Sequence, residues 1–231
     1  MNETLTAGLT ALGLPTEAAP ALVRYGQLLI ETNKVMNLTA ITEPKDVASL
    51  HFLDSAALLT LADLRGKSVV DVGTGAGFPG MPLRILEPSI RLTLLDSLNK
   101  RIDFLKEVCD DLGLSDVACV HARAEEFAAG HREAYDIVTS RAVANLRMLS
   151  ELCLPLVKPG GYFLSMKSVD SGQELEEARK AISLLGGAVE RTADYSIPGT
   201  DVRHRLIFIK KVAETPKKYP RTFAKIKKNP L

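Results

Sequence analysis

The sequence has no tryptophan and only three cysteines, and aromatic residues make up 5% of its 231 residues. The three cysteines are scattered, without the paired spacing of zinc ligands, so neither a disulfide framework nor a structural metal site is expected. No apolar run approaches the roughly 20 residues that a membrane-spanning helix needs. The first residues also lack the basic and apolar regions of a signal peptide. We therefore expect a cytoplasmic protein that associates with neither membrane nor metal.

The formal net charge is close to zero, at +1, with 29 Lys and Arg residues against 28 Asp and Glu residues. This balance conceals an uneven distribution. Residues 202–231 contain ten basic residues and a single acidic one, for a net charge of +9, whereas the first 201 residues carry −8. A basic end on an acidic body is typical of a surface that binds a polyanion, although a solvated tail that keeps the protein soluble has the same composition.

Hydrophobic periodicity predicts helices first and then an alternation of short β-branched segments with helical ones, which is typical of a doubly wound α/β fold. We expect a mostly parallel sheet of seven strands that ends in an antiparallel hairpin. The regions are an N-terminal helical extension (1–65), a main domain (66–212) and a basic C-terminal tail (213–231). The predicted strands cover 68–72, 91–95, 117–121, 136–140, 161–166, 188–195 and 204–210, and the predicted helices between them cover 79–86, 99–112, 142–154 and 172–185.

A glycine-rich segment joins the first predicted strand to the helix that follows it. Read from Gly75, it matches the dinucleotide-binding pattern GxGxxG. Read from Asp71, it matches DxGxGxG, the loop with which many S-adenosylmethionine (SAM) enzymes hold the amino-acid end of the cofactor. The loop's glycines, Gly73 and Gly77 included, would let the backbone approach a ligand closely. Asp71 favours SAM, because a carboxylate there suits the methionine ammonium group but repels a pyrophosphate.

Two further acidic positions support a nucleotide site. Asp96 ends the second predicted strand, about 20 residues beyond the glycines, where a carboxylate can accept hydrogen bonds from ribose hydroxyls. Ala124 and Glu125 follow the third strand, at the place where methyltransferases commonly hold adenine. Either acid by itself could instead cap a helix or lie in solvent. Together with the glycine loop they predict a SAM-binding site that contains Asp71, Gly73, Gly75, Gly77, Asp96, Ala124 and Glu125.

Five segments in order along the chain share the motifs of one family: HFLDS at 51–55, DVGTGAGFPG at 71–80, RAE at 123–125, SRAVA at 140–144 and TPKKYPR at 215–221. Together they resemble the bacterial 16S ribosomal RNA guanine-N7 methyltransferases (methyltransferase G, also called glucose-inhibited division protein B). The glycine loop is shared by many methyltransferases, whereas HFLDS, SRAVA and PKKYPR are specific to this family. The resemblance covers nearly the whole chain.

This resemblance implies the transfer of a methyl group from SAM to N7 of a guanosine in the decoding-region loop of 16S rRNA. The RNA would be presented in a ribosomal or precursor particle. The resemblance also implies a place for Phe78 and Arg141 beside the cofactor. The full set of residues that it places against SAM is Gly73, Phe78, Ala124, Glu125 and Arg141.

The chemistry of that reaction fits what the sequence lacks. N7 of guanine carries an in-plane lone pair and no proton at neutral pH, so methyl transfer needs in-line positioning rather than a general base. After the fourth strand there is neither the Asn/Asp-Pro-Pro-aromatic motif of amino-group methylation nor the cysteine of pyrimidine C5 methylation. Arg141, at the end of that strand, is the expected catalytic residue and would position the acceptor. An ion pair with Asp71 or Asp136 is its alternative role.

The histidines offer no comparable candidate. His51 and Asp54 stand at i and i+3 on one helical face, and we expect them to cap the helix or pack against the main domain rather than act in catalysis. His121 and His204 stand at strand ends, and no role is assigned to either.

The composition of the tail suits RNA, because aromatic rings lie among its basic residues, as in contacts to single strands and loops. The expected partner is 16S rRNA or the small ribosomal subunit, with the protein acting as a monomer. The expected RNA-binding residues are Lys217, Lys218, Tyr219, Arg221, Lys225, Lys227 and Lys228, with the ring of Phe223 among them.

Two other function classes compete with this interpretation. An NAD(P)-linked oxidoreductase would use the GxGxxG pattern, but Asp71 and the segment 123–125 oppose it, and the sequence contains no Tyr-x-x-x-Lys pair. A non-catalytic RNA-binding protein would account for the tail. It would leave the glycine loop and its two acidic partners unexplained.

Overall fold

A mixed β-sheet lies at the centre of the structure, a computed structural model that describes residues 1–141 and 144–231. Within these residues the sheet has seven strands in the order β3-β2-β1-β4-β5-β7-β6. All neighbouring strands are parallel except β7, which runs antiparallel to β5 and β6. The predicted doubly wound, mostly parallel sheet with an edge hairpin is therefore confirmed. The strands are β1 (Ser68–Val72), β2 (Arg91–Asp96), β3 (Val117–His121), β4 (Tyr135–Arg141), β5 (Val157–Ser168), β6 (Gly187–Ser196) and β7 (Arg203–Lys211).

The central strands are rich in buried apolar residues because both faces of the sheet are covered. Successive side chains of a strand point to opposite faces. Val69 of β1 accordingly packs into one apolar cluster and Val70 into a second one on the other face. Leu94 and Leu95 of β2 divide in the same way. This arrangement explains why the sequence shows short continuous apolar runs here rather than a strict alternation.

The N-terminal helices pack against one face of the sheet. Leu5, Leu22 and Phe52 are fully buried and belong to the same apolar cluster as Leu92 of β2. The helical segment over 44–61 contains a π-helical stretch, a conformation that is frequent at functional sites. The helices are α1 (Asn2–Ala11), α2 (Ala19–Met36), α3 (Pro44–Asp46), α4 (Asp54–Ala56) and α5 (Leu58–Leu61), with the π-helix at Val47–Leu53 and a 3-10 turn at Thr16–Ala18.

The remaining helices connect the strands. The predicted helix over 142–154 begins in the structure at Leu146, and residues 142 and 143 lie outside the described part of the chain. The N-cap of this helix is Asn145, whose side chain accepts a hydrogen bond from the amide of Arg147 at 2.9 Å. The connecting helices are α6 (Gly80–Leu86), α7 (Asn99–Leu112), α8 (Ala124–Phe127), α9 (Leu146–Cys153) and α10 (Gly172–Leu184), with a 3-10 turn at Leu154–Leu156.

The C-terminal segment is docked on the body of the protein rather than extended into solvent. Tyr219 and Ile226 are buried in the apolar cluster that also contains residues of α9 and α10. Arg132 donates hydrogen bonds to the carbonyl oxygens of Tyr219 and Pro216 at 2.7 and 3.1 Å. The segment ends in a short helix, α11 (Phe223–Lys228), which contacts α9.

Two features are absent from the described residues. No helix among them combines the length and the apolar character that crossing a bilayer requires. No group of three or more His, Cys, Asp or Glu side chains in residues 1–141 and 144–231 is arranged to hold a metal ion.

Candidate active site

A cavity of about 430 Å³ opens at the carboxyl ends of β1, β2 and β4. The strand order reverses there, because the chain runs from β1 outward to β3 and then returns to place β4 on the other side of β1. Open α/β sheets bind ligands at such switch points, and the volume lies within the range of small-molecule sites. The structure brings most of the predicted cofactor residues together here. Those that line the cavity are Gly73, Gly75, Phe78, Asp96, Ala124, Glu125 and Arg141.

The loop after β1 turns sharply because its glycines adopt conformations that other residues avoid. Gly73, Gly75 and Gly77 have φ angles of 69°, 62° and 102°, all in the left-handed region. The amides of Gly73 and Thr74 donate hydrogen bonds to the carbonyl oxygen of Leu95 at 2.8 and 3.1 Å. These bonds tie the loop to the end of β2, so that its backbone forms one wall of the cavity.

Two of the predicted cofactor residues, Asp71 and Gly77, lie behind this loop and do not line the cavity. Oδ2 of Asp71 accepts hydrogen bonds from Oγ1 of Thr74 at 2.6 Å and from the amide of Gly80 at 2.9 Å. A Cβ atom at Gly77 would lie 2.3 Å from the hydroxyl oxygen of Tyr25. Both residues therefore shape the loop, and the structure does not bring the carboxylate of Asp71 to the cavity surface as the sequence suggested.

The Asp71 carboxyl group is nevertheless electrostatically unusual. Burial raises its pKa to about 6, against the opposing effect of the hydrogen bonds from Thr74 and Gly80. Its Oδ1 atom is buried and has no hydrogen-bond partner within the part of the chain that the structure describes. This unpartnered oxygen atom is enclosed behind the glycine loop, away from the cavity surface.

Asp96 is fixed at the cavity wall by three donors. It lies at the end of β2 and is 3% exposed. Its Oδ2 accepts hydrogen bonds from the amide of Gly75 at 3.0 Å and from Nη1 of Arg101 at 3.1 Å, and its Oδ1 accepts one from the amide of Leu98 at 2.9 Å. The predicted position is therefore occupied by a carboxylate that is rigid and borders the cavity, as a ribose-binding acid requires.

The end of β3 contributes a third part of the wall. Ala124 and Glu125 line the cavity at the start of α8. The guanidinium carbon of the preceding residue, Arg123, lies 5.1 Å from the ring centroid of Phe223. Phe223 itself lines the cavity, although the sequence placed it among the RNA-contacting residues of the tail. Only the tertiary packing of α11 could have revealed this, since no local pattern joins the C-terminus to α8.

Arg141 borders the cavity on the β4 side and is held by three acceptors. Its Nη1 donates hydrogen bonds to the carbonyl oxygen of Leu50 at 3.0 Å and to Oδ2 of Asp54 at 2.8 Å. Its Nη2 donates to Nδ1 of His51 at 2.9 Å. The guanidinium carbon also lies 5.1 Å from the ring centroid of Phe78. The predicted residue is thus at the cavity in one fixed orientation.

The ion-pair partner of Arg141 is Asp54, and not Asp71 or Asp136 as the sequence suggested. Asp71 uses its carboxylate inside the glycine loop. Asp136 lies near the amino end of β4, where it accepts hydrogen bonds from the amide and hydroxyl groups of Ser68 at 2.8 and 2.6 Å. That end of the strand is opposite to the one that carries Arg141.

Asp54 is fully buried and receives three side-chain hydrogen bonds. Its Oδ1 accepts from the hydroxyl group of Tyr195 at 2.9 Å and from Nδ1 of His204 at 2.8 Å, and its Oδ2 accepts from Arg141. Burial alone would raise the pKa of Asp54, but the hydrogen bonds from His204 and Arg141 outweigh burial and leave that pKa below its usual value. The hydrogen bond to Asp54 also raises the pKa of His204.

His51 completes this network as a neutral ring. Burial and the nearby charge of Arg141 lower its pKa to about 3. Because a guanidinium group can only donate, Nδ1 of His51 is the acceptor, and the proton of the ring lies on Nε2, which donates to Oγ1 of Thr39 at 2.8 Å. The ring stacks on Phe78 with the centroids 4.4 Å apart and the planes at 14°. The i, i+3 spacing indicated that His51 and Asp54 share a face, but it could not identify Arg141 as their partner.

Two residues of the predicted RNA-binding set are occupied within the protein, which corrects the expectation for both. Tyr219 is 7% exposed. Nε and Nη2 of Arg221 donate to Oε1 and Oε2 of the buried Glu151 at 2.8 and 2.7 Å. The net charge of +9 therefore overstated the charge that the segment offers to a partner. The exposed basic residues of the tail (213–231) are Lys217, Lys218, Lys225, Lys227 and Lys228.

Comparison with solved structures identifies the class of protein. The structure of TrmN from Thermus thermophilus superposes with a TM-score of 0.54 at 25% identity, over 68% of this chain and 48% of that chain. TYW2 from M. jannaschii, solved in complex with AdoMet, superposes with a TM-score of 0.56 at 13% identity, over 68% of this chain and 61% of that chain. The fold and the glycine-loop cavity are those of a Rossmann-like methyltransferase.

The chain belongs to the GidB family, described as rRNA small subunit methyltransferase G, whose family model matches residues 18–203. Ribosomal RNA small subunit methyltransferase G of Clostridium botulinum (strain Loch Maree / Type A3) is 50% identical over 212 residues, which are 90% of this chain and 89% of that protein. The protein of the same name from Lachnoclostridium phytofermentans is 50% identical over 235 residues, which are 100% of this chain and 97% of that protein. The predicted family and enzyme class are thereby confirmed, against an oxidoreductase or a non-catalytic RNA-binding protein.

Proposed function

We propose that this protein transfers a methyl group from SAM to N7 of a guanosine in the decoding-region loop of 16S rRNA. The observation that carries the proposal is the cavity at the switch point of the sheet, in a chain that belongs to this methyltransferase family. The cavity joins a nucleoside-binding wall, formed by Asp96 and α8, to a fixed arginine, Arg141, on the side of β4. A cofactor on one side and an acceptor base on the other would meet above β1.

The residues present fit SAM. The left-handed φ angles of the loop favour glycine. Because glycine has no side chain, a ligand could approach the backbone of the loop closely. The carboxylate of Asp96, fixed at the cavity wall, offers acceptors for ribose hydroxyls. When bound, SAM supplies a methyl group activated by a positively charged sulfur. The residues that would hold it are Gly73, Gly75, Phe78, Asp96, Ala124, Glu125 and Arg141, with Asp71 and Gly77 shaping the loop.

The side chains around the cavity suit an acceptor that carries no proton. The Nδ1 lone pair of His51 is taken by Arg141 and its Nε2–H by Thr39, so this ring is not available as a general base. N7 of guanine needs none, because its lone pair lies in the ring plane and is unprotonated at neutral pH. The contribution of the protein is then the in-line placement of the base.

Arg141 is the residue that we propose positions the acceptor. Of its five N–H groups, two on Nη1 donate to Leu50 and Asp54, and one on Nη2 donates to His51. Within residues 1–141 and 144–231 the Nε–H group and the second Nη2–H group have no acceptor, and these two groups would donate to guanine O6 or a neighbouring phosphate. The exposed lysines of the C-terminal segment would bind the surrounding RNA backbone by contacts that do not depend on sequence.

The proposal is tested by incubating small ribosomal subunits that lack the modification with SAM labelled in its methyl group. We expect the purified protein to transfer label to 16S rRNA, and a Gly75→Val variant to transfer far less, because valine is strained at a φ of 62°. A Gly13→Val variant is the matched control, since Gly13 has a φ of 67° but lies in the turn after α1, outside the cavity. Label in protein or lipid but not in RNA would contradict the proposal.

A further inference from the structure

The C-terminal helix forms part of the cavity wall, a role that the RNA-binding interpretation of this segment does not include. Phe223 is the first residue of α11 and lines the cavity. Its ring lies against the guanidinium group of Arg123, at 5.1 Å from ring centroid to guanidinium carbon. Arg123 immediately precedes α8, the helix that supplies the end of the wall beyond β3. An aromatic ring and a guanidinium group in contact with each other therefore border this end of the cavity.

The position of the Phe223 ring is fixed by the anchoring of α11. Ile226, one helical turn after Phe223, is fully buried in the apolar cluster beneath the helix. Arg221, just before the helix, donates its backbone amide at 2.9 Å and both arms of its guanidinium group to the buried carboxylate of Glu151. Anchors on both sides hold the ring in place without any help from a ligand.

The strand order indicates which part of the cofactor this end of the cavity would receive. The glycine loop follows β1, Asp96 follows β2, and α8 follows β3, so that the three lie side by side in the spatial order of the strands. A ribose held by Asp96, with the amino-acid end at the glycine loop, directs the nucleoside base outward to α8. Purine bases are commonly bound in proteins by stacking on aromatic rings and guanidinium groups.

We propose that Phe223 is a cofactor-binding residue that contacts the adenine base of SAM, together with Arg123 and α8. This inference rests on the proposed use of SAM. It assigns to the C-terminal helix a part in building the cofactor site, in addition to its exposed lysines. Phe223 is then a binding residue that comes from a segment outside the strand-and-loop core of the fold.

The absence of tryptophan from the chain makes a direct test available. A Phe223→Trp variant would contain one tryptophan, placed at the proposed base-binding wall. Titration with S-adenosylhomocysteine should quench or shift its emission, and the half-maximal change should fall at the dissociation constant that equilibrium dialysis gives for the same variant. The matched control is a Tyr162→Trp variant, because Tyr162 lines a different cavity near the amino end of β4 and should report no change. Unchanged emission of the Phe223→Trp variant at saturating ligand would overturn the proposal.

A second pair of variants tests the contribution to affinity. Phe223→Ala should weaken the binding of S-adenosylhomocysteine about tenfold, in the range expected for loss of one base–aromatic stack. Lys225→Ala, on the same helix and exposed, should leave that affinity unchanged. Equal affinity of the Phe223→Ala variant and the parent chain, with circular dichroism spectra that match, would also overturn the proposal. If the parent chain itself binds no S-adenosylhomocysteine, the proposed function fails and this inference falls with it.

Discussion

At the scale of single residues, Asp54 is a fully buried carboxylate that accepts hydrogen bonds from Arg141, His204 and Tyr195. Its partners come from β4, β6 and β7, whereas Asp54 itself belongs to the N-terminal helical segment. A buried ion pair adds little net stability over an apolar pair, but the loss of one partner leaves the other charge uncompensated. Asp54 therefore matters for the orientation of Arg141 as well as for folding.

We predict that Asp54→Ala lowers the free energy of unfolding by about 3 kcal/mol, because Arg141 and His204 lose their shared acceptor in a buried place. Denaturation by urea measures this quantity. Asp63→Ala is the matched control, since Asp63 pairs with Arg65 at the surface and its removal should change little. A loss of stability no larger than that of the control would contradict the role given to Asp54.

The neutral ring of His51 predicts a dependence of stability on pH. The pKa of His51 in the folded protein is about 3, well below the value near 6.5 of an unfolded chain. As the pH falls below about 6.5, the unfolded chain binds a proton that the folded chain does not, so the contribution of His51 to stability is present above that pH and lost below it. Replacement by asparagine keeps an acceptor for Arg141 and removes the titrating group.

We therefore expect the parent chain to lose about 2 kcal/mol relative to His51→Asn between about pH 6.5 and pH 5. The measurement is the difference between their urea-unfolding free energies across that range, which cancels the titrations that both chains share. A difference independent of pH would show that His51 accepts a proton as readily in the folded protein as in the unfolded chain, which would contradict the lowered pKa.

Arg141→Lys separates positioning from cofactor binding. A lysine keeps the charge beside Asp54 but cannot donate to Leu50, His51 and an acceptor base in a fixed fork. We expect the rate of methyl transfer to fall by about 100-fold, the order of loss associated with a misplaced acceptor. The affinity for S-adenosylhomocysteine, measured by equilibrium dialysis, should fall far less than the rate, because the charge beside Asp54 is kept. Parallel losses of rate and affinity would assign Arg141 to the cofactor alone.

Among the elements, the C-terminal segment differs most from the sequence-based expectation. A count of charges along the chain treats every basic residue alike. In the structure, some basic residues pair with carboxylates of the protein and others are exposed to solvent. Arg221 pairs with Glu151, and the fully buried Lys211 pairs with Glu133 at 3.0 Å, so both neutralise carboxylates of the body. Arg221 and Glu151 are 70 residues apart in the sequence. Only tertiary packing brings them together, so no local sequence pattern could have predicted the pair.

This division predicts different outcomes for two substitutions in the segment. Simultaneous replacement of Lys225, Lys227 and Lys228 by alanine should weaken RNA binding and reduce the slope of log affinity against log salt concentration by about 2, as expected for three lost phosphate contacts on single-stranded RNA. Arg221→Ala should leave that slope unchanged and instead lower the free energy of unfolding by about 3 kcal/mol, because Glu151 stays buried without its partner.

Filter binding of a 16S rRNA fragment at several salt concentrations, together with urea unfolding, measures both effects. An unchanged salt slope in the triple lysine variant would remove the segment from the RNA interface. A reduced slope in Arg221→Ala without a loss of stability would restore Arg221 to it.

For the molecule as a whole, the sequence was sufficient to predict the sheet and most of the residues that line the cavity at its edge, because both depend on local order. The short apolar segments predict the strands, and the glycine loop and Asp96 each follow a strand directly, so their meeting at one edge is a consequence of parallel pairing. The buried network around Arg141 could not be predicted in this way. Asp54 is 87 residues from Arg141 and 150 residues from His204, and only the packing of the N-terminal helices on the sheet joins them.

The sequence also could not predict which residues of the glycine loop face the cavity and which support the loop from behind. The pattern DxGxGxG identifies Asp71 and Gly77 as members of the motif but does not distinguish a residue that faces the ligand from one that supports the loop. The hydrogen bonds of Asp71 to Thr74 and Gly80, and the contact of Gly77 with Tyr25, make that distinction. A sequence motif of this kind predicts the backbone conformation more reliably than it predicts the contact atoms.

The central claim is that the protein methylates N7 of a guanosine in 16S rRNA, and its most direct test is to map the methylated atom. Small ribosomal subunits that lack the modification are incubated with the protein and SAM, and the 16S rRNA is then treated with borohydride and aniline, which cleave the chain at N7-methylguanosine. We predict one new cleavage, in the decoding-region loop, which appears with the parent chain and is strongly reduced with Arg141→Lys. Incorporation of methyl groups without any new cleavage would mean that the acceptor is another atom, and would contradict the claim.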